Sequence, residues 1–143
     1  MVEERRRLVG TWHRLDPWPD VRSGLDALRR QRPTAALSNA HVALLVDLAR
    51  HADLRFDCRL SAEVAQVYKP APEVYQTAAR LLGVEPAALM LVAAHPLDLR
   101  GARAAGLQTA FATARSSTGW APQRATIPRR TSLWETYTSW QSG

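Results

Sequence analysis

Cysteine is nearly absent from this chain. Cys58 stands alone, which excludes an internal disulfide and any cysteine-rich zinc cluster. Its neighbour Phe56 suggests a small buried hydrophobe rather than a nucleophile. The histidines His13, His41, His51 and His95 show no ligand spacing, so no metal and no cofactor are expected. Long apolar runs are missing too. The opening MVEERRRLVG has no apolar core after its basic residues, and no window approaches a membrane-spanning length. A cytoplasmic protein without membrane association is the expectation.

Lysine is as scarce as cysteine. Lys69 is the only one, so the formal charge of +6 comes from arginine. The arginines fall in separate clusters, at 5–7, at 29, 30 and 32, and at 129–130, and not in one basic stripe interleaved with aromatics. Solvated helix faces explain that pattern better than nucleic-acid contacts. The remaining composition, 46% apolar and 22% charged with seven Gly and nine Pro, is that of a globular chain with one core.

The periodicity alternates along the chain. Residues 1–14 read as the end of a charged amphipathic helix, and LDPWPDV (15–21) as a turn-rich joint, because each proline disfavours helix in the residue before it. Asp20 stands where an N-cap belongs, ahead of Val21, Leu25 and Leu28, in a helix that should end near Gln31. TAALSN (34–39) reads as a short buried strand, VALLVDLARHA (42–52) as a helix with Leu44, Leu45, Leu48 and Ala49 inward, and FDCRLS (56–61) as a weaker strand. PEVYQTAARLLG (72–83) is a helix closed by Gly83. LMLVAA (89–94) is the strongest strand, LDLRGARAAG (97–106) a helix closed by Gly106, and QTAFAT (108–113) a last strand. Strands and helices at this spacing predict a parallel α/β sheet. The tail changes character after Thr113: residues 114–143 carry three of the five tryptophans without a clean period, and read as irregular, with SLWETYTSW as a docking segment.

Ligands in parallel sheets gather at the carboxyl ends of the strands. Ser38-Asn39 and the run His95 to Asp98 fall at such ends, and Lys69 lies in a loop beyond another. A strand-ending serine, a surface lysine and a carboxylate in the first turn of a helix are each ordinary alone. Together they make one candidate cleft, with Asp98 directed into it.

Taken in order and spacing, LDPWPDV, ALSNAH, YKPAPEVYQTAARLLGV and LVAAHPLDLRGARAAGLQTAF resemble the second part of the haloacid dehalogenase superfamily core, most closely the bacterial L-2-haloacid dehalogenases. The likeness spans about residues 10–113 and implies a Rossmann-like three-layer α/β sandwich bearing a helical cap. Residues 1–15 would end the cap and 16–113 form part of the core. In that family an aspartate in a DxYGT-like or DxDGT-like loop displaces halide from carbon two of a short haloacid, and water hydrolyses the resulting ester. Carried over by motif, Ser38 would bond the substrate carboxylate or the nucleophile, with Asn39 lining the same pocket. Lys69 would hold the nucleophilic carboxylate ionised and oriented, and Asp98 would position this lysine and manage the attacking water. His95 takes a place often filled by asparagine and would line the substrate pocket.

The chemistry suits these residue types. A hydroxyl at a strand end is a compact donor to a carboxylate, and an ammonium lowers the free energy of negative charge in a dry site. An acid beside that lysine keeps it charged.

The resemblance also requires what the chain lacks. No aspartate here, from Asp16 to Asp98, is followed by a Gly-Thr turn, so the nucleophile is absent, as are the family's substrate- and halide-cradling arginine and aromatics. The incomplete sandwich would lack its central first strand, leaving two strand edges that a second copy or a partner chain would cover. The expectation is a truncated, inactive form of a hydrolase that converts an (S)-2-haloacid to an (R)-2-hydroxyacid. A non-catalytic protein-interaction module, using the bare edges and Trp134 to Trp140, is the competing reading.

Overall fold

The computed structural model describes residues 2–112, and the predicted docking segment of the tail lies outside them. The chain divides into two units, residues 1–66 and residues 67–143.

In the first unit, helix α1 (Val2–Trp12) runs into the non-helical joint at residues 13–20, followed by helix α2 (Val21–Arg29). Strand β1 (Ala35–Ser38), helix α3 (Val42–His51) and strand β2 (Cys58–Ser61) then form a βαβ sequence, with β1 and β2 parallel and Ser38 opposite Ser61. A 3-10 turn, Ala62–Val64, ends the unit. Leu44 and Ala49 are buried on α3 while Leu45 and Leu48 are half-buried, which is the inner face the spacing predicts.

Three of the four histidines serve this architecture. His41 caps α3, its Nδ1 accepting from the Leu44 N–H at 3.0 Å. His13 meets Asp47 at 2.6 Å and His51 meets Asp16 at 3.1 Å, so both ends of the joint are tied to α3. Arg22 Nε donates to the Ala52 carbonyl at 2.6 Å, satisfying one of the carbonyls that the end of α3 leaves open.

Asp57 organises the entry to the sheet. Its carboxylate accepts from Arg29 Nε and Nη2, at 3.1 and 2.7 Å, and from the Thr34 N–H at 2.8 Å. The Arg29 bond, then the Thr34 N–H, lower its pKa to about 2. A depressed carboxylate contributes stability that is present above its ordinary value near 3.8 and lost as pH falls from there through about 2. Because the pair is partly open to solvent, replacing Asp57 with alanine is expected to cost about 1 kcal/mol near neutral pH. Urea unfolding at pH 7 and at pH 2 checks this, since the difference between the two proteins should shrink at the lower pH.

The second unit holds helix α4 (Pro72–Leu81), strand β3 (Met90–Ala93), helix α5 (Pro96–Ala104) and strand β4 (Gln108–Phe111), with a 3-10 turn at Pro86–Ala88. Strands β3 and β4 are parallel, with Met90 opposite Gln108. Helix α5 packs on both strands and α4 packs on α5. Val74, Tyr75, Ala78 and Ala79 of α4 and Ala102 of α5 are buried. Gly83 and Gly106 follow α4 and α5 with φ of +67° and +89°, the left-handed conformation in which helices commonly terminate. The Val84 N–H to Ala79 and Leu107 N–H to Ala102 bonds complete those ends.

Three expectations need correction. Asp20 stands at the N-cap position directly before Val21, as read, but its backbone is already helical (φ −92°, ψ −8°) and its side chain makes no capping bond. That conformation differs from the extended backbone typical of a capping residue, whose carboxylate would reach the N–H groups of the first turn. The strands are less covered than predicted, with Ala35, Val92 and Phe111 exposed, Ser61 and Ala110 buried, and the other strand positions half-buried. The described residues contain two sheets of two strands each, so every strand has an unpaired edge. Cys58, at the start of β2, is half-buried rather than buried.

Helix α2 buries no residue, and Gly24 in its interior has nothing within 4 Å of the position a Cβ would take. Gly24→Ala should therefore stabilise the protein by about 0.5–1 kcal/mol through helix propensity alone. A raised urea midpoint with an unchanged slope is the expected result.

Candidate active site

The parallel strands direct their carboxyl ends into loops, and the candidate residues stand there. In the second unit, the chain leaves β3 through Ala94 and His95 and enters α5 at Pro96, whose missing N–H makes it well suited to a first helical turn. Asp98 lies in that first turn, where the helix macrodipole favours a carboxylate. Lys69 Nζ donates to Asp98 Oδ2 at 2.7 Å, and the two side chains keep only 16% and 13% of their exposure. Such a pair exchanges hydration for a short charge-assisted hydrogen bond.

The other carboxylate oxygen has its own donor. The Tyr75 hydroxyl, on α4, donates to Asp98 Oδ1 at 2.5 Å and lies 3.2 Å from the Asp98 carbonyl. Burial, then the hydrogen bond to Asp98, push the Tyr75 phenol pKa upward, so the hydroxyl stays a donor. Asp98 is thus held from both sides, by an ammonium and by a phenol. Tyr75 was not singled out from the sequence, although a wholly buried tyrosine ordinarily finds a partner for its hydroxyl.

Of the predicted residues, Lys69 and Asp98 are brought together. His95 precedes α5 with an extended backbone, is exposed, and makes no side-chain capping bond. Ser38 and Asn39 belong to the first unit, where Ser38 ends β1 and Asn39 begins the loop to α3. Ser38 Oγ accepts from the Ala40 N–H at 3.1 Å, an arrangement in which its O–H remains a donor. Buried Ser61, beside Ser38 in the sheet, steadies the same loop by donating to the Ala40 carbonyl at 2.8 Å. Glu63 accepts from the Val42 N–H at 2.9 Å, so β2 and its following turn anchor the loop that carries Asn39. Among the described residues, no group of three His, Cys, Asp or Glu side chains is placed to hold a metal ion, and no helix is long and apolar enough to cross a membrane.

Parallel strands joined by helices, with a lysine–aspartate pair beyond the carboxyl end of β3, define an α/β fold of Rossmann-like type. Comparison with known proteins narrows the class. Residues 1–106 match the family model for haloacid dehalogenase-like hydrolases. The (S)-2-haloacid dehalogenase of Pseudomonas sp. (strain YL) is 36% identical over 110 residues, covering 75% of this chain and 47% of that protein. Among solved structures, the L-2-haloacid dehalogenase PA0810 superposes with a TM-score of 0.72 at 52% identity, covering 74% of this chain and 46% of the other. The L-2-haloacid dehalogenase of Xanthobacter autotrophicus, solved with chloropropionic acid covalently bound, gives 0.65 at 33% identity, covering 68% of this chain and 40% of the other. This chain belongs to the haloacid dehalogenase-like hydrolase family. It spans about half the length of the relatives it matches.

Proposed function

We propose that this chain supplies the charge-holding part of a 2-haloacid dehalogenase site, acting with a catalytic carboxylate that its own 143 residues do not offer. The observation that carries the reading is the Lys69–Asp98 pair, short and largely shielded from water at a strand's carboxyl end. An ammonium fixed there stabilises a second carboxylate as an ionised nucleophile. That carboxylate would attack carbon two of a small (S)-2-haloacid, forming a C–O bond as the C–halogen bond breaks and halide leaves. Water would then cleave the ester at its acyl carbon, returning the carboxylate and releasing the (R)-2-hydroxyacid. Asp98, hydrogen-bonded by Lys69 and Tyr75, is suited to orienting the lysine and that water. Ser38, through its hydroxyl, would bond the substrate carboxylate or the nucleophile, and Asn39 and His95 would line the same pocket. On this reading α1 and the joint lead from a cap into the core, and the protein works in the cytoplasm.

By itself the chain is expected to release no halide from (S)-2-chloropropionate. Joined to the DxYGT-bearing amino-terminal half of a relative, it should release halide, and Lys69→Ala in that pairing should abolish the release. Halide release that survives Lys69→Ala, in either form, would exclude Lys69 from the chemistry and sink the proposal.

A further inference from the structure

Helix α5 presents Asp98 and, one turn later, Gly101. A Cβ built on Gly101 would lie 2.5 Å from the Pro70 carbonyl oxygen, 2.9 Å from Pro70 Cβ and 3.0 Å from Tyr75 Cε2. The nearest of these is a backbone atom, which cannot swing aside as a side-chain end would. Pro70 directly follows Lys69, and Tyr75 is the residue whose hydroxyl reaches Asp98. The missing methyl group therefore lets both donors to Asp98 close on the turn of helix that carries it. Glycine in a helix interior is otherwise unfavourable, so its presence at this crowded point calls for a reason in packing.

We infer that Gly101 is a positioning residue of the candidate site: its bare Cα sets how closely the Lys69–Pro70 segment and Tyr75 approach α5, and thereby the geometry of the Lys69–Asp98 pair. The functional meaning rests on the dehalogenase reading above, while the positioning itself does not. Adding a methyl at Gly101 must displace the Pro70 carbonyl, and Lys69 is covalently attached to Pro70. The expected consequence is a pair that no longer closes.

Lys69 is the chain's only lysine, which makes its reactivity a direct readout of that pair. In the full chain, acylation of Lys69 by an amine-directed reagent can be followed by peptide mass spectrometry, separately from the amino terminus. Gly101→Ala, labelled under conditions where circular dichroism shows it folded, is expected to acylate about tenfold faster, the factor for losing roughly one charge-assisted hydrogen bond. Gly24→Ala adds the same methyl where space is open and should leave the rate unchanged. Should Gly101→Ala fail to fold, Pro70→Gly removes the Cβ that faces Gly101 and loosens the backbone that carries Lys69, and should also speed acylation of Lys69. A wild-type rate in folded Gly101→Ala, or in folded Pro70→Gly when the first variant does not fold, overturns the inference. No haloacid enters this measurement, so its failure is separate from that of the proposed function, which is decided by halide release without Lys69.

Discussion

Replacement of Asp98 by alanine is expected to lower the unfolding free energy by about 3 kcal/mol, toward the lower end of the range for breaking a buried ion pair. The loss has two parts. Lys69 keeps its ammonium in a site with 16% of its exposure remaining but without the carboxylate 2.7 Å away, and the Tyr75 hydroxyl loses the acceptor it meets at 2.5 Å. Other interactions of Lys69 and the Asp98 backbone carbonyl moderate both effects. Against a typical domain stability of about 5–15 kcal/mol, a change of this size should be plain in urea unfolding at neutral pH. Asp98→Asn separates the parts, since the amide oxygen still accepts from Tyr75 while the charge is gone, and it should fall between alanine and wild type.

The double variant Lys69→Met/Asp98→Leu sharpens the argument. Replacing a buried ion pair with apolar groups of similar volume is often neutral or stabilising, because neither charge then gives up its hydration. Recovery of most of the stability lost in Asp98→Ala would mean that the pair is not retained for folding. Such recovery would support the proposed role of the pair in holding a second carboxylate. If the double variant is instead as unstable as the single one, the pair is structural, and the electrostatic part of the proposed site loses its support.

The legible features were those with a local physical cause. Prolines marked the joint at 15–21 and the start of α4 and α5, glycines marked the ends of both helices, and strand–helix alternation placed Ser38 at the end of a strand and Asp98 in the helix that follows one. The Lys69–Asp98 contact spans 29 residues, and spacing alone could only bring it to the same cleft. Tyr75 escaped notice because an aromatic on the inner face of a helix reads as core, and it is core as well as donor. Gly101 had a sequence signal, a glycine inside a helical pattern, but its cause lay in Pro70, which no periodicity connects to it. Asp20 was legible as the position before α2 but not as a side-chain cap. Its residue type suited a cap, but its backbone is already helical, and backbone conformation is not written in residue type.

Tyr75 is the residue on which packing and site geometry coincide, and truncating it to alanine is expected to cost about 4 kcal/mol, mostly from the cavity left by a fully buried ring. Tyr75→Phe keeps the ring against α5 and removes only the bond to Asp98, for about 1–2 kcal/mol at neutral pH. The two substitutions also differ from wild type in their alkaline behaviour. The folded phenol has a pKa raised above its ordinary value near 10, chiefly by burial and then by the Asp98 carboxylate. A raised pKa means that the unfolded chain releases the proton first, so the stability that Tyr75 contributes is fully present below pH 10 and falls as pH climbs beyond it. In Tyr75→Phe that part of the alkaline loss should disappear, so the variant is weaker than wild type at pH 7 but converges on it above pH 10. Urea midpoints measured from pH 7 to pH 11 test the crossing of these trends. A constant gap across that range would show that the Tyr75 hydroxyl does not carry the proton that couples α4 to Asp98.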